Sequence, residues 1–99
     1  MKIIENMISH LEEEVDGAEE YAEKFIEAKA RGNMARANKY KEMANDELKH
    51  AGYLHDMFVS DVEEINHVYK MTESESETWE RGHKRITEKM AMVKQILSF

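Results

Sequence analysis

Three stretches of the chain carry apolar residues at steps of three and four, and no proline interrupts any of them. That spacing places the apolar side chains on one face of a helix. In the first stretch the stripe is Ile4, Met7, Ile8, Leu11, Val15, Ala18, Tyr21, Ala22, Phe25 and Ile26, which predicts a helix over about 2–30. Arg31-Gly32-Asn33 reads as a stop and a restart, with Gly32 suited to the left-handed position after a helix and Asn33 to the next N-cap. The second stripe is Ala37, Tyr40, Ala44, Leu48, Ala51, Leu54 and Phe58, continuing through Val62, Ile65 and Tyr69. It predicts a long helix over 34–70, although Ser60-Asp61-Val62-Glu63 has the form of a capping box and offers a break or bend there. Thr72 to Glu77 supply capping residues and first-turn acids for a third helix over 74–98, whose stripe is Trp79, His83, Ile86, Met90, Val93 and Leu97.

No stretch alternates apolar and polar residues long enough to read as a strand. The expected fold is therefore all-α: an antiparallel helical hairpin with a third, C-terminal helix, in a single domain over residues 1–99. A chain of 99 residues is too short for four full-length helices and their loops. Its own core is small, and partner chains are expected.

The net charge of −7 repels phosphate backbones, so nucleic acid is not an expected partner. With no cysteine there are no disulfides, thiolate nucleophiles, rubredoxin-type centres or cysteine zinc sites. The longest apolar runs are a few residues, too short to cross a membrane. The start, Met1-Lys2-Ile3-Ile4-Glu5-Asn6, has an acid where a signal peptide needs an apolar stretch. Cytoplasmic residence is the expectation.

An ionised carboxylate on a core-facing stripe is costly unless something compensates it. Glu14 falls on the face shared by Met7, Leu11, Ala18 and Tyr21, whereas its neighbours Glu12 and Glu13 can turn to solvent. Glu47 is flanked at helical spacing by Tyr40, Ala44, Ala51, Leu54 and Phe58. His50 follows three residues later on the same side, between Met43 and Met57. Glu47-Leu48-Lys49-His50 thus projects a carboxylate and an imidazole from one face. Oxygen ligands with one nitrogen suit iron or manganese, and zinc less exclusively. Taken singly, Glu-x-x-His arises by chance in acidic helices, and a lone Glu14 can sit at a stripe edge or pair with a lysine. Together, on facing helices of one hairpin, they match the way carboxylate bundles hold two iron ions.

The run Glu14-x6-Tyr21, about 30 residues, then Glu47-x-x-His50 resembles the first half of the ferritin and rubrerythrin bundles, and most of all the encapsulated ferritins. The resemblance covers roughly residues 7 to 58 and rests on four matched positions plus chain length. It implies a ferritin-like fold whose four-helix bundle is completed by homodimerisation. It implies that Glu14 and Glu47 are carboxylate ligands, His50 a terminal nitrogen ligand and Tyr21 an aromatic group behind them. It also implies that two copies each supply half of a di-iron site, that rings of such dimers form, and that ferrous iron is oxidised and passed to a surrounding protein shell. Such cargo proteins carry a short C-terminal docking tail, and none follows Leu97-Ser98-Phe99. The pairing also has a basis outside the family. One hairpin offers half of the roughly four carboxylates and two imidazoles such a site uses, and a two-fold axis doubles every ligand.

The expected function is therefore a ferroxidase, for iron storage or detoxification, with Glu14, Glu47 and His50 as both metal ligands and catalytic residues. The metal is iron, with manganese or zinc as alternatives. A rubrerythrin-like peroxide reductase, with a separate electron donor, is a second reading. A non-catalytic ferritin-like protein that uses its helices for assembly is a third. Elsewhere, Glu80-Arg81-Gly82-His83 is a second Glu-x-x-His: it belongs to the metal centre or to an auxiliary site, or His83 is a partly buried histidine bonded to a neighbouring carboxylate. His10, one turn before Glu14, is placed either to hydrogen-bond Glu14 from behind or to face solvent. Glu13, Glu19 and Glu20 form a cation approach path or simply a solvated face. His55 and His67 have no ligand spacing. The methionines are expected as core fillers, and Trp79 as the anchor of the third helix or an interface residue.

Overall fold

The computed structural model describes residues 2–99. Its three helices are α1 (Lys2–Ala30), α2 (Met34–Val68) and α3 (Glu73–Leu97), with no strand among the described residues. At about 1.5 Å per residue the 35-residue α2 accounts for nearly the whole 54 Å length of a rod 19 by 18 Å across.

The α1–α2 turn forms as its residues predict. Gly32 takes φ of 75°, a left-handed conformation open to glycine. The Asn33 side chain then accepts from the Arg36 amide as the N-cap of α2. α2 runs straight through Ser60. The capping box offered there does not form, because Val62 is buried against α1 and α3 residues and the helix must continue to deliver it. α2 ends at Val68 rather than residue 70: Tyr69 is extended and 51% exposed, so its place in the apolar stripe is corrected. The capping box that does form is Thr72 with Glu75, each side chain bonded to the other's backbone amide, and it starts α3 at Glu73. That pairing holds the Glu75 carboxyl below its ordinary range.

α1 is the central element and meets both other helices along its length. One half of the core gathers Ile4, Met7, Ile8, Leu11 and Val15 around Ala51, Val62, Met71 and Ile86, with Trp79 packed on it as the expected anchor of α3. The other half joins Ala18, Ala22, Phe25 and Ala28 to Ala37, Ala44, Leu48, Val93 and Leu97. Close approach is set by small residues. At Gly82 an added Cβ would meet Ile8 Cδ1 at 2.7 Å. Along its edge α3 is tied to α1 by Arg85 to Glu12 at 3.1 Å and by Lys89 to Asp16 and Glu19. The second of these bonds draws the Lys89 ammonium above its ordinary range. Not every expected core residue is inside. Ile26, Met34, Met43, Met57 and Met92 are exposed, so packing within one chain does not explain those methionines.

Candidate metal centre

Glu12, Asp16 and Glu19 mark the α3 side of α1. At 100° per residue, Glu14 lies about 200° around the helix from Glu12, on the side that α3 leaves open. Glu47 and His50 come to this same open side from α2. Among the described residues, Glu14, Glu47 and His50 form the one group of three such side chains that can offer ligand atoms all within 4.8 Å of one another. His50 Nδ1 is 3.9 Å from Glu14 Oε2, too far for a hydrogen bond. Bonds from a cation to such oxygens and nitrogens are about 2.0–2.2 Å long, so a cation seated between these two atoms nearly spans the gap.

The three groups are less deeply enclosed than a core stripe implies. Glu14 and Glu47 are half-buried, the Glu14 side chain keeping 26% exposure, while the His50 side chain is 60% exposed. The site is a patch on the hairpin's open face, not an interior cavity. The reason is the placement of α3, which covers the opposite side of α1.

Electrostatics explain what the pair needs. A hydrogen bond to Glu14 pushes the Glu47 carboxyl above its ordinary range, and partial burial and the Glu14 charge push the same way, against His50. Two carboxylates this close tolerate each other by sharing a proton, and a cation satisfies the same demand without one. The donor set therefore fits a hard or borderline cation. Gly17 keeps the space clear: a Cβ there would stand 3.2 Å from Glu47 Oε2. In the sequence, only its position one turn after Glu14 marks Gly17. Tyr21 lies beyond, half-buried and stacked on Tyr40 with centroids 6.4 Å apart. On α2, Met43 and Met57 lie seven residues before and after His50, on its face of the helix, and are 40% and 58% exposed.

The other candidates fall elsewhere. His10 is exposed and sits against the Phe58 ring, with centroids 5.9 Å apart. Glu19 is engaged by Lys89, and Glu13 and Glu20 are exposed. Glu80 is exposed, and His67 likewise. His83 finds neither a carboxylate nor this centre. Its Nε2 is 2.7 Å from His55 Nε2, and Trp79 lies beside its ring. His55 was invisible in the sequence because its partner is 28 residues away on another helix.

The chain matches no family model, no curated protein and no solved structure. No helix is long and apolar enough to cross a membrane among the described residues.

Proposed function

We propose that this chain is a ferritin-like protein that binds ferrous iron as substrate at Glu14, Glu47 and His50 and oxidises it in a site completed by a second copy. The observation that carries the reading is the Glu14–Glu47–His50 cluster on the open side of the hairpin. One chain supplies two carboxylates and one imidazole. Two chains related by a two-fold axis supply the roughly four carboxylates and two imidazoles of a di-iron carboxylate bundle. The exposed Met43 and Met57 beside the ligands favour a covered face over a permanently wetted one. The pairing of two hairpins completes a four-helix bundle.

In this reading Glu47 is placed to bridge or chelate, and Glu14 and His50 complete the coordination of each ion. The oxygen-rich set favours iron or manganese over softer metals. Oxidation of each ferrous ion gives one electron to dioxygen or peroxide. The chain's part is to hold the ions together, release the proton of the Glu14–Glu47 pair as metal binds, and exclude water once the second copy is seated.

The test is anaerobic ferrous titration followed by air, read optically for ferric product, with sedimentation measured before and after metal. The parent is expected to bind about one ferrous ion per chain, to sediment as a dimer or larger ring, and to oxidise iron. Glu47→Ala is expected to lose oxidation. Equal oxidation rates in parent and variant would sink the proposal. A dimer that takes up no metal at any loading would favour an assembly role.

A further inference from the structure

We infer that His55 and His83 form a second divalent-cation site, for zinc or a similar borderline ion, that staples α3 to α2. The two imidazoles come from different helices, and their Nε2 atoms face each other 2.7 Å apart. Their rings lie nearly parallel, with centroids 4.8 Å apart and 27° between planes. Behind His55, Asp56 Oδ1 is 3.0 Å from Nδ1. A carboxylate on the far nitrogen holds the proton at Nδ1 and leaves the Nε2 lone pair facing His83. This carboxylate–histidine arrangement recurs behind metal-bound histidines.

With His55 Nε2 as acceptor, His83 Nε2 holds the one proton between the rings. Moving that proton to His83 Nδ1, the other neutral tautomer, turns both Nε2 atoms into ligands facing one point. Burial and the neighbouring His55 lower the His83 pKa, so the neutral ring that a metal needs is favoured. Two Zn–N bonds of about 2.0–2.1 Å at a tetrahedral angle separate the nitrogens by about 3.3 Å. The rings must therefore part by about half an ångström, a small adjustment for half-buried side chains. Space for the remaining ligands lies alongside. Beside His55, a cleft of about 350 Å³ is lined by Gly52, Asp56, Thr87, Met90, Ala91 and Lys94, the last an ammonium that must turn to solvent when a cation binds. Water completes the tetrahedron, since Asp56 is engaged at the far nitrogen of His55. The ligand set is nitrogen-rich, in contrast to the oxygen-rich Glu14–Glu47–His50 centre, so the two sites sort different metals.

The experiment uses the full chain carrying Glu47→Gln, which weakens the first site. Zinc is titrated while the histidine side-chain ¹⁵N resonances and the thermal midpoint are followed. One equivalent is expected to shift the Nε2 resonances of His55 and His83 together and to raise the midpoint. His55→Gln and His83→Gln, each in the same background, are expected to weaken zinc binding at least tenfold. If either variant fails to fold, the resonance shifts in the Glu47→Gln chain decide alone. Resonances of His55 and His83 that stay unmoved at millimolar zinc overturn the proposal. So does zinc that shifts only His10, His50 or His67.

Discussion

Replacing Glu47 by Gln should make the metal-free protein more stable and the metal-bound protein harder to form. The oxygens available to a cation lie within 4.8 Å. Two unit charges no farther apart than that repel by at least about 0.9 kcal/mol in water and at least about 3.5 kcal/mol at an effective dielectric of 20. The site is half-exposed, so the lower figure governs, and about 1 kcal/mol is the expected gain at neutral pH. For a domain of this size that corresponds to a rise in Tm of about 4–8 °C. The amide can still donate to Glu14, so the variant keeps the hydrogen bond and loses only the charge. The pH dependence follows from linkage. The folded-state pKa of Glu47 is raised above the ordinary 4.5, so the folded chain keeps a proton that the unfolded chain has released. The parent therefore loses stability as pH rises from 4.5 through the raised value, and the advantage of Gln disappears below pH 4.5. Metal binding moves the opposite way. Loss of one ligand of three should exceed the roughly 10–100-fold cost of losing an outer-shell partner. The assay is thermal and urea denaturation in chelator across this pH range, at fixed protein concentration because dimerisation would shift the midpoint, followed by metal titration. A variant less stable than the parent at pH 7 in chelator would refute the reasoning, and so would parent-like metal affinity.

Gly17→Ala should weaken metal binding while leaving stability equal or higher: the new methyl crowds Glu47 Oε2 at 3.2 Å, whereas alanine favours the helix by about 1 kcal/mol. Metal titration beside a denaturation curve separates the two effects. Gly82→Ala should cost about 1 kcal/mol net, since overpacking against Ile8 at 2.7 Å costs about 1–3 kcal/mol and exceeds the helix gain; urea denaturation reads this. Lys89→Met should lower stability by up to about 1 kcal/mol near neutral pH, the range for an exposed ion pair. Because the Lys89 pKa is raised by Asp16, its contribution is complete below 10.5 and fades as pH climbs through the folded value, so the parent and the variant should converge in strongly alkaline urea titrations.

Helix placement was legible because its signals are local. Gly32 and Asn33 fix a turn within four residues, and Thr72 and Glu75 fix another. The false capping box at Ser60 has equally good local chemistry. What defeats it is Val62, whose burial depends on residues far away in sequence. Tyr69 shows the same limit from the other side: its spacing continues the stripe, but the helix has already ended. Periodicity identifies a face of a helix without saying what covers it.

That limit decides the reading of the centre. Spacing put Glu14, Glu47 and His50 on apolar faces, and the structure brings their ligand atoms together. Yet α3 covers the far side of α1, held there by Arg85 and Lys89 on Glu12, Asp16 and Glu19. The ligand face is left open, with Met43 and Met57 beside it. Had α3 covered this face, the two carboxylates would be enclosed by one chain and a second copy would be sterically redundant. By covering the opposite face, α3 closes the core of the hairpin and leaves the ligands accessible, as the proposed pairing of two copies requires. The His55–His83 contact lies where α3 reaches α2, away from that open face. Zinc bound there would reinforce the placement of α3 without occupying the surface proposed for a second copy.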